Sequence, residues 1–180
     1  LGHGGPQDFA EARRLYGLAA AQGYAEAQCS LGSMHLDGQG GPEDFAEAMR
    51  LFGLAAAQGD AKAQSSLGSM HYSAQGGPQD FAEARRLFGL AAAQGNTKAQ
   101  SSLGVMHLNG QGGPEDFAEA RRLFGLAVAQ GDAEAQVELG AMHLAGHGGP
   151  QDYIEARRLF GLAAAQGNAT AQFGLGNIHL

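Results

Sequence analysis

Apolar and polar residues alternate with a helical period along the whole chain. From Phe9 to Gln22 the apolar positions recur at spacings of three and four, which is typical of an amphipathic helix. After a break at Gly23, a second apolar stripe follows at Ala27, Leu31 and Met34. The pattern therefore predicts two short helices joined by a tight turn.

This two-helix pattern occurs five times, with a period of 36 residues. The copies are residues 1–36, 37–72, 73–108, 109–144 and 145–180. A period of this size is typical of repeat proteins, in which each unit stacks on its neighbours because it cannot bury its apolar face alone. Short connections favour antiparallel neighbours. We therefore predict an all-α solenoid of antiparallel helix pairs that forms a single domain over residues 1–180.

Residues that begin and end helices recur at fixed places in each copy. Asp8 precedes the first helix and Glu11 follows three residues later, which is the spacing of a capping box with Asp in place of Ser or Thr. Gly23 suits the position just after a helix end. N-capping residue types precede the second helix in four copies: Asp60, Asn96, Asp132 and Asn168. Tyr24 takes that place in the first copy and has no capping side chain.

Three runs carry a resemblance to a known family. They are Ala-Lys-Ala-Gln-Ser-Ser-Leu-Gly-Ser-Met from Ala61, Gly-Gly-Pro-Gln-Asp-Phe-Ala-Glu-Ala from Gly76, and Ala-Ala-Ala-Gln-Gly-Asn from Ala91. Together they resemble the Sel-one-like repeats, relatives of the tetratricopeptide repeat, and they recur over the whole chain. The resemblance implies a right-handed superhelical, tetratricopeptide-like α-solenoid that acts as a protein–protein scaffold. The chain departs from that family by having His35, Leu15 and the Gly17–Leu18 pair where Tyr, Trp and two basic residues are usual.

Composition narrows the classes of partner. The chain has 18 acidic and 11 basic residues, a net charge of −7, and no basic stripe, so we expect no nucleic-acid partner. It has no run of 18 apolar residues, so we expect no membrane insertion. Cys29 is its single cysteine and cannot form an internal disulfide. The chain therefore does not match those family members that have a framework of paired cysteines.

Comparison of the copies suggests a binding surface on the second helix. Four of its positions never change: those of Gln28, Leu31, Gly32 and His35. Four other positions vary: those of Glu26, Cys29, Ser30 and Ser33. They fall within one arc of about 100° on the helix, which we expect to face solvent. The resemblance places this arc in a concave groove that binds a protein or peptide. The predicted groove residues are Glu26, Cys29, Ser30, Ser33, Lys62, Ser65, Lys98, Ser101, Glu134, Val137, Glu138 and Phe173. Alternatively, this face varies because nothing constrains it.

A recurrent leucine on the first helix suggests a second surface. It falls among polar positions on the helical wheel and follows a glycine in every copy: Leu18, Leu54, Leu90, Leu126 and Leu162. Exposed in register, these residues would form an apolar stripe for association with a partner or another copy. Alternatively, the helix is rotated and these leucines belong to the core.

No constellation of residues indicates catalysis or a cofactor, so we expect no enzyme activity. His35 and its four equivalents cannot share one zinc ion, because zinc ligands lie about 2 Å from the metal and packed helices are about 10 Å apart. We expect half-buried, hydrogen-bonded histidines there instead. A weak metal site near His143, His147 and His3 is the alternative. Cys29 is either a groove-facing thiol or a packed one.

The phase of the repeat bears on assembly. Joining Leu1 to Leu180 would leave the repeat register unbroken, and no polar capping repeat occurs at either end. We therefore expect a window of a longer array, a homo-oligomer that stacks head to tail, or both; a head-to-tail contact gives open filaments when it does not close. Two functions follow: an interaction scaffold, or a structural protein that builds a filament.

Overall fold

The computed structural model describes residues 8–178, and ten α-helices account for the regular secondary structure of this part of the chain. In chain order they are α1 (Phe9–Ala21), α2 (Ala25–Leu36), α3 (Phe45–Ala57), α4 (Ala61–Ser73), α5 (Phe81–Ala93), α6 (Thr97–Leu108), α7 (Phe117–Ala129), α8 (Ala133–Ala145), α9 (Tyr153–Ala165) and α10 (Ala169–Ile178). Odd-numbered helices are the first predicted helix of each copy, and even-numbered helices are the second.

The helices form two compact units whose boundary lies within α5, between Leu87 and Phe88. In the first unit, α1 packs against α2, α2 against α3, and α3 against α4. In the second unit, α6 packs against α7, and this sequential packing continues through α8 and α9 to α10. The predicted all-α architecture of packed helix pairs is confirmed. No helix between residues 8 and 178 is both long and apolar enough to cross a membrane.

The predicted N-caps are present at both kinds of helix. The Asp8 side chain accepts a hydrogen bond from the Glu11 N–H at 3.0 Å, and the other four copies repeat this bond. Asp132 caps α8 by accepting from the Ala135 N–H at 2.7 Å, and Tyr24 makes no side-chain cap. These bonds satisfy N–H groups that a helix start leaves free.

The Glu of each predicted capping box pairs with an arginine one turn later on the same helix. In α3, the Arg50 guanidinium donates two hydrogen bonds, of 2.6 and 2.7 Å, to the Glu47 carboxylate. The Asp44 N–H, which a reciprocal capping box would use, donates to the His35 carbonyl at 2.9 Å. The cap is therefore one-sided. Surface ion pairs of this kind contribute little to stability, because water and salt screen them.

The conserved glycine of the even-numbered helices allows close packing against a phenylalanine. A Cβ on Gly32 would lie 3.0 Å from the Phe52 ring, and one on Gly104 would lie 2.8 Å from the Phe124 ring. Phe52 and Phe124 are fully buried. The absence of a side chain at these glycines thus allows the rings to approach closely, and this packing offsets the cost of about 1 kcal/mol that glycine imposes in a helix.

A buried glutamine links helix pairs within each unit. Gln28 is 4% exposed, and its Nε2 donates to the Ala20 carbonyl at 3.2 Å. Its Oε1 accepts from Gln58 at 2.8 Å, and Gln136 accepts from Gln166 in the same way at 3.0 Å. A buried amide is stable only when its donor and acceptor are both bonded, which accounts for the unchanging glutamine at this position.

Candidate functional site

A groove in the second unit is lined by α6, the α7 residue Phe124, α8 and the start of α10. Its volume is about 740 Å³. We call it the second-unit groove. Five of its lining residues were predicted from variation between copies: Lys98, Ser101, Glu134, Val137 and Glu138. These five residues of the variable arc therefore line one cavity of this unit.

Several other residues also line the second-unit groove. Ser102 and Val105 on α6 and Thr170 on α10 occupy positions of the same variable arc, whereas Asp132 and Asn168 are the N-caps of α8 and α10. The N-caps were recognised as helix starts only. The available signal was that these helix starts adjoin the variable arc.

A hydrogen bond fixes the position of α6 beside α8 at the mouth of the groove. The Ser101 hydroxyl donates to the Asp132 Oδ1 at 3.1 Å, and the same oxygen accepts the capping N–H of Ala135. Thr97, at the start of α6, donates to the Gln130 side chain at 2.6 Å. The groove wall is therefore attached to the scaffold before any ligand binds.

Charge is unevenly distributed across the second-unit groove. Lys98 lies on α6, whereas Asp132, Glu134 and Glu138 lie at the start of α8 and along it. Burial raises the pKa of Glu138, and the neighbouring Glu134 carboxylate raises this pKa further. A carboxyl group with few water neighbours and a nearby like charge gains from a cationic partner.

A second, smaller cavity of about 400 Å³ lies in the first unit. It is lined by three predicted groove residues, Ser30, Ser33 and Lys62, together with aromatic residues of α1 that include Phe9 and Tyr16. Glu26 and Phe173 do not line either cavity. The Glu26 carboxylate accepts a hydrogen bond from the Tyr24 hydroxyl at 2.7 Å, and Phe173 is 72% exposed.

Two predicted groove residues are buried, so the prediction that the whole arc faces solvent is wrong at these positions. Cys29 and Ser65 are 3% and 4% exposed. Cys29 is covered because it packs in a cluster with Ala63 and Leu67 of α4. Burial, followed by the charge of Asp60, raises the pKa of Cys29 to about 11. The thiol is therefore a packed, protonated group at neutral pH.

The four recurrent histidines that the structure describes are half-buried, and two of them bond an arginine of the preceding helix. An Arg13 guanidinium nitrogen lies 2.7 Å from the His35 Nδ1, and Arg121 lies 2.6 Å from the His143 Nδ1. Burial, then the arginine charge, lowers the pKa of both histidines. The predicted hydrogen-bonded histidine is confirmed at these sites. It is wrong at His71, whose buried Nδ1 has no partner among the described residues.

The histidines of the proposed loop metal site bind other groups. His143 bonds Arg121, whereas the His147 ring stacks on Phe117 with a centroid distance of 4.7 Å. His3 lies outside the described residues. Within residues 8–178, no three His, Cys, Asp or Glu side chains form a group that could hold a metal ion.

The recurrent leucines lie on the surface of their helices. Their exposed fractions are between 40% and 55%: Leu18, Leu54, Leu90, Leu126 and Leu162. The rotated-helix alternative, in which they are core residues, is therefore wrong. A Cβ on the preceding glycine, as at Gly125, would meet no atom within 4 Å. The surface beside each leucine is open.

Comparison with known proteins matches the chain to the model of one repeat family. The Sel1 repeat model matches five segments: residues 1–24, 25–60, 61–96, 97–132 and 133–168. The four later segments each begin at the first residue of an even-numbered helix. The family unit is thus an even-numbered helix followed by an odd-numbered one. No curated protein matches the chain.

Solved structures with the same fold cover nearly the whole chain. A protective antigen of uropathogenic Escherichia coli with an SLR fold is 38% identical over 98% of this chain, with a TM-score of 0.91. The chain spans 38% of that protein's length. A Sel1 repeat protein from Oxalobacter formigenes is 30% identical (TM-score 0.86) over 95% of this chain and 68% of its own. A sel1 repeat protein from Klebsiella pneumoniae, 24% identical (TM-score 0.60) over 93% of this chain and 84% of its own, shares the fold.

Proposed function

Because the chain belongs to the Sel1 repeat family, whose members are generally protein-interaction scaffolds, we propose that it is a non-enzymatic scaffold that binds a segment of another protein in the second-unit groove. One observation carries this proposal. Positions that vary between copies line the groove, whereas unchanging positions such as Gln100 and Leu103 are buried in the packing. Variation is thus concentrated where it can select a partner without disturbing the fold.

The size and lining of the groove suit an extended peptide segment. A volume of about 740 Å³ lies within the range of about 300–1,000 Å³ that is common for binding sites. Val105 and Val137 provide apolar contact, while Ser102 and Thr170 offer hydroxyl groups for backbone hydrogen bonds. A groove with both kinds of surface can bury an apolar side chain and still orient a polar backbone.

The proposal can be tested by selecting peptides against the purified chain. Random 12-residue peptides displayed on phage would be selected, and their binding measured by fluorescence anisotropy. Ser102→Tyr fills the groove, and its position tolerates change because other copies carry Glu138 or Gly174 there. Ser73→Tyr, at an exposed site on α4, is the matched control. Loss of at least tenfold in affinity for Ser102→Tyr alone supports the proposal; equal affinities for both variants contradict it.

The exposed leucines favour a second candidate function, lateral self-association. In the second unit, Leu90, Leu126 and Leu162 are each at least 40% exposed beside a glycine with open space. Small residues beside an apolar one allow a second helix to approach closely. Head-to-tail stacking into a filament remains a prediction, since it depends on the chain ends, and residues 1–7 and 179–180 lie outside the described residues.

Sedimentation velocity over a dilution series tests the second candidate. Lysine at all five leucine positions should abolish concentration-dependent association and leave the helical circular dichroism spectrum unchanged. A chain that sediments as a monomer at every concentration before mutation would contradict self-association. Association that persists in the five-lysine variant would show that the leucines are not the contact.

A further inference from the structure

The acidic wall of the second-unit groove has an unusual arrangement of charge. Glu134 and Glu138 are four residues apart on α8, so they lie on the same face one turn apart. Both line the groove. Carboxylates at this spacing repel each other, and burial together with Glu134 raises the pKa of Glu138. The pair is therefore an unfavourable arrangement in the unoccupied chain.

Neither carboxylate is neutralised within the part of the chain that the structure describes. The ion pairs of residues 8–178 join glutamates and arginines of the odd-numbered helices, such as Glu119 with Arg122. Lys98, on the α6 wall, forms none with Glu134 or Glu138. The third acid, Asp132, differs because its Oδ1 already accepts two hydrogen bonds.

The fold does not require an acid at the position of Glu138. The equivalent residues in the other copies are Ser30, Ser66, Ser102 and Gly174. All five are in helices of the same kind. The glutamate pair thus belongs to this groove alone, and removing its charge should leave the packing of α8 intact.

We propose that the occupant of the second-unit groove is a protein segment that places one lysine or arginine side chain between Glu134 and Glu138. This inference rests on the proposed function. A cation there would convert a repulsion into two charge-assisted hydrogen bonds, which are about twice as strong as neutral ones. The aliphatic stem of the same side chain would pack on Val105 and Val137, which line the groove.

The other charges of the groove favour a protein segment that has a single basic residue beside Glu134 and Glu138. Asp132 already accepts two hydrogen bonds and Lys98 on the α6 wall supplies one positive charge, so the unpaired Glu134–Glu138 pair offers a place for one cation. Three carboxyl groups against one ammonium group also repel the phosphates of a nucleic acid. A peptide with one basic side chain flanked by apolar or neutral residues satisfies both conditions.

The test uses the full chain and the peptides selected as above. We expect those peptides to share one lysine or arginine, and replacement of a shared lysine by acetyl-lysine should reduce affinity about tenfold. Glu138→Gln should reduce affinity by a similar factor, which corresponds to ~1.4 kcal/mol. Lys98→Gln should increase the affinity of the same peptides. Opposite effects of the two substitutions cannot arise from general damage to the groove.

The outcomes separate this inference from the proposed function. Peptides that lose affinity with Ser102→Tyr but contain no shared basic residue, or bind Glu138→Gln unchanged, would overturn the inference and leave the groove as a binding site. Peptides unaffected by Ser102→Tyr would overturn the proposed function itself. A 12-nucleotide DNA strand serves as the probe for nucleic acid. If this strand binds the native chain and no longer binds Lys98→Gln, the inference is also overturned.

Discussion

Replacing Met49 with arginine should stabilise the chain. In α1 and α7 the equivalent residues, Arg13 and Arg121, each bond a histidine of the next helix through Nδ1. Met49 cannot donate such a bond, and the His71 Nδ1 is buried without a partner among the described residues. The second copy thus lacks one interaction that its sister copies show is available.

The structure leaves room for the new side chain. Arg13 lies against Gly41 of the following loop, and its Nη1 reaches the Gln39 and Pro42 carbonyls at 3.4 Å. Around the equivalent Gly77, the nearest atoms to a Cβ are those of Met49, at 3.7 and 3.8 Å. An arginine can therefore follow the same path in this copy, because the space is at least as large.

The expected gain is about 1 kcal/mol. A hydrogen bond to a charged group contributes about 1.5–3 kcal/mol. Part of the packing of Met49, which is half-buried against the first-unit core, is lost. The aliphatic part of arginine keeps most of that contact, so the loss should be about 1 kcal/mol or less. In a chain of 180 residues, the net gain should raise the melting temperature by about 2–4 °C.

Urea denaturation followed by circular dichroism measures the effect, and a double-mutant cycle with His71→Leu identifies its cause. Met49→Arg should raise the free energy of unfolding in the native background and should stabilise the chain clearly less when His71 is leucine, because only the loop-carbonyl contacts then remain. Arg13→Met, the reverse change at a sister site, should cost about 1 kcal/mol because it leaves the half-buried His35 acceptor unpaired. Equal effects of Met49→Arg in both backgrounds would refute the reasoning.

Two further predictions concern stability. Gly104→Ala should destabilise the chain, because the new Cβ would lie 2.8 Å from the Phe124 ring. Gly125→Ala has open space around it and should stabilise the chain by up to about 1 kcal/mol. Similar melting temperatures for the two variants would contradict this packing. Because burial and Arg121 lower the pKa of His143 in the folded chain, the unfolded chain binds more protons below the ordinary histidine pKa of about 6.5. The free energy of unfolding should therefore fall as the pH falls from about 7 through the lower folded pKa, and His143→Gln should make that decline shallower; an unchanged slope would show that the ring does not titrate with folding.

The helices could be predicted because their signals are local. Asp8 and Asp44 cap the helices that they precede, and the glycine at each helix end has the positive φ that such a position favours, as at Gly23, with φ 86°. The close packing at Gly32 was also predictable, since a glycine that never changes within a helix needs a packing reason. These inferences depend on residues within one copy or on the comparison of copies.

The remaining features depend on contacts between helices. Burial of Cys29 follows from its contacts with α4 residues, which no helical wheel of α2 contains. The unpaired His71 had a visible signal, since Met49 replaces the arginine of the other copies, but its meaning required the Arg13–His35 pair. The second-unit groove likewise required the placement of α6 beside α8, although its variable residues were found by comparison.

Chemical-shift mapping tests the central claim most directly. The ¹⁵N-labelled chain would be titrated with a peptide selected against it, and the amide signals followed by NMR. We predict that the largest changes fall on α6, α8 and the start of α10, with Ser102 and Glu138 among them. Changes confined to the exposed leucine surface of α5, α7 and α9, with the groove amides unmoved, would contradict the claim that the second-unit groove is the binding site.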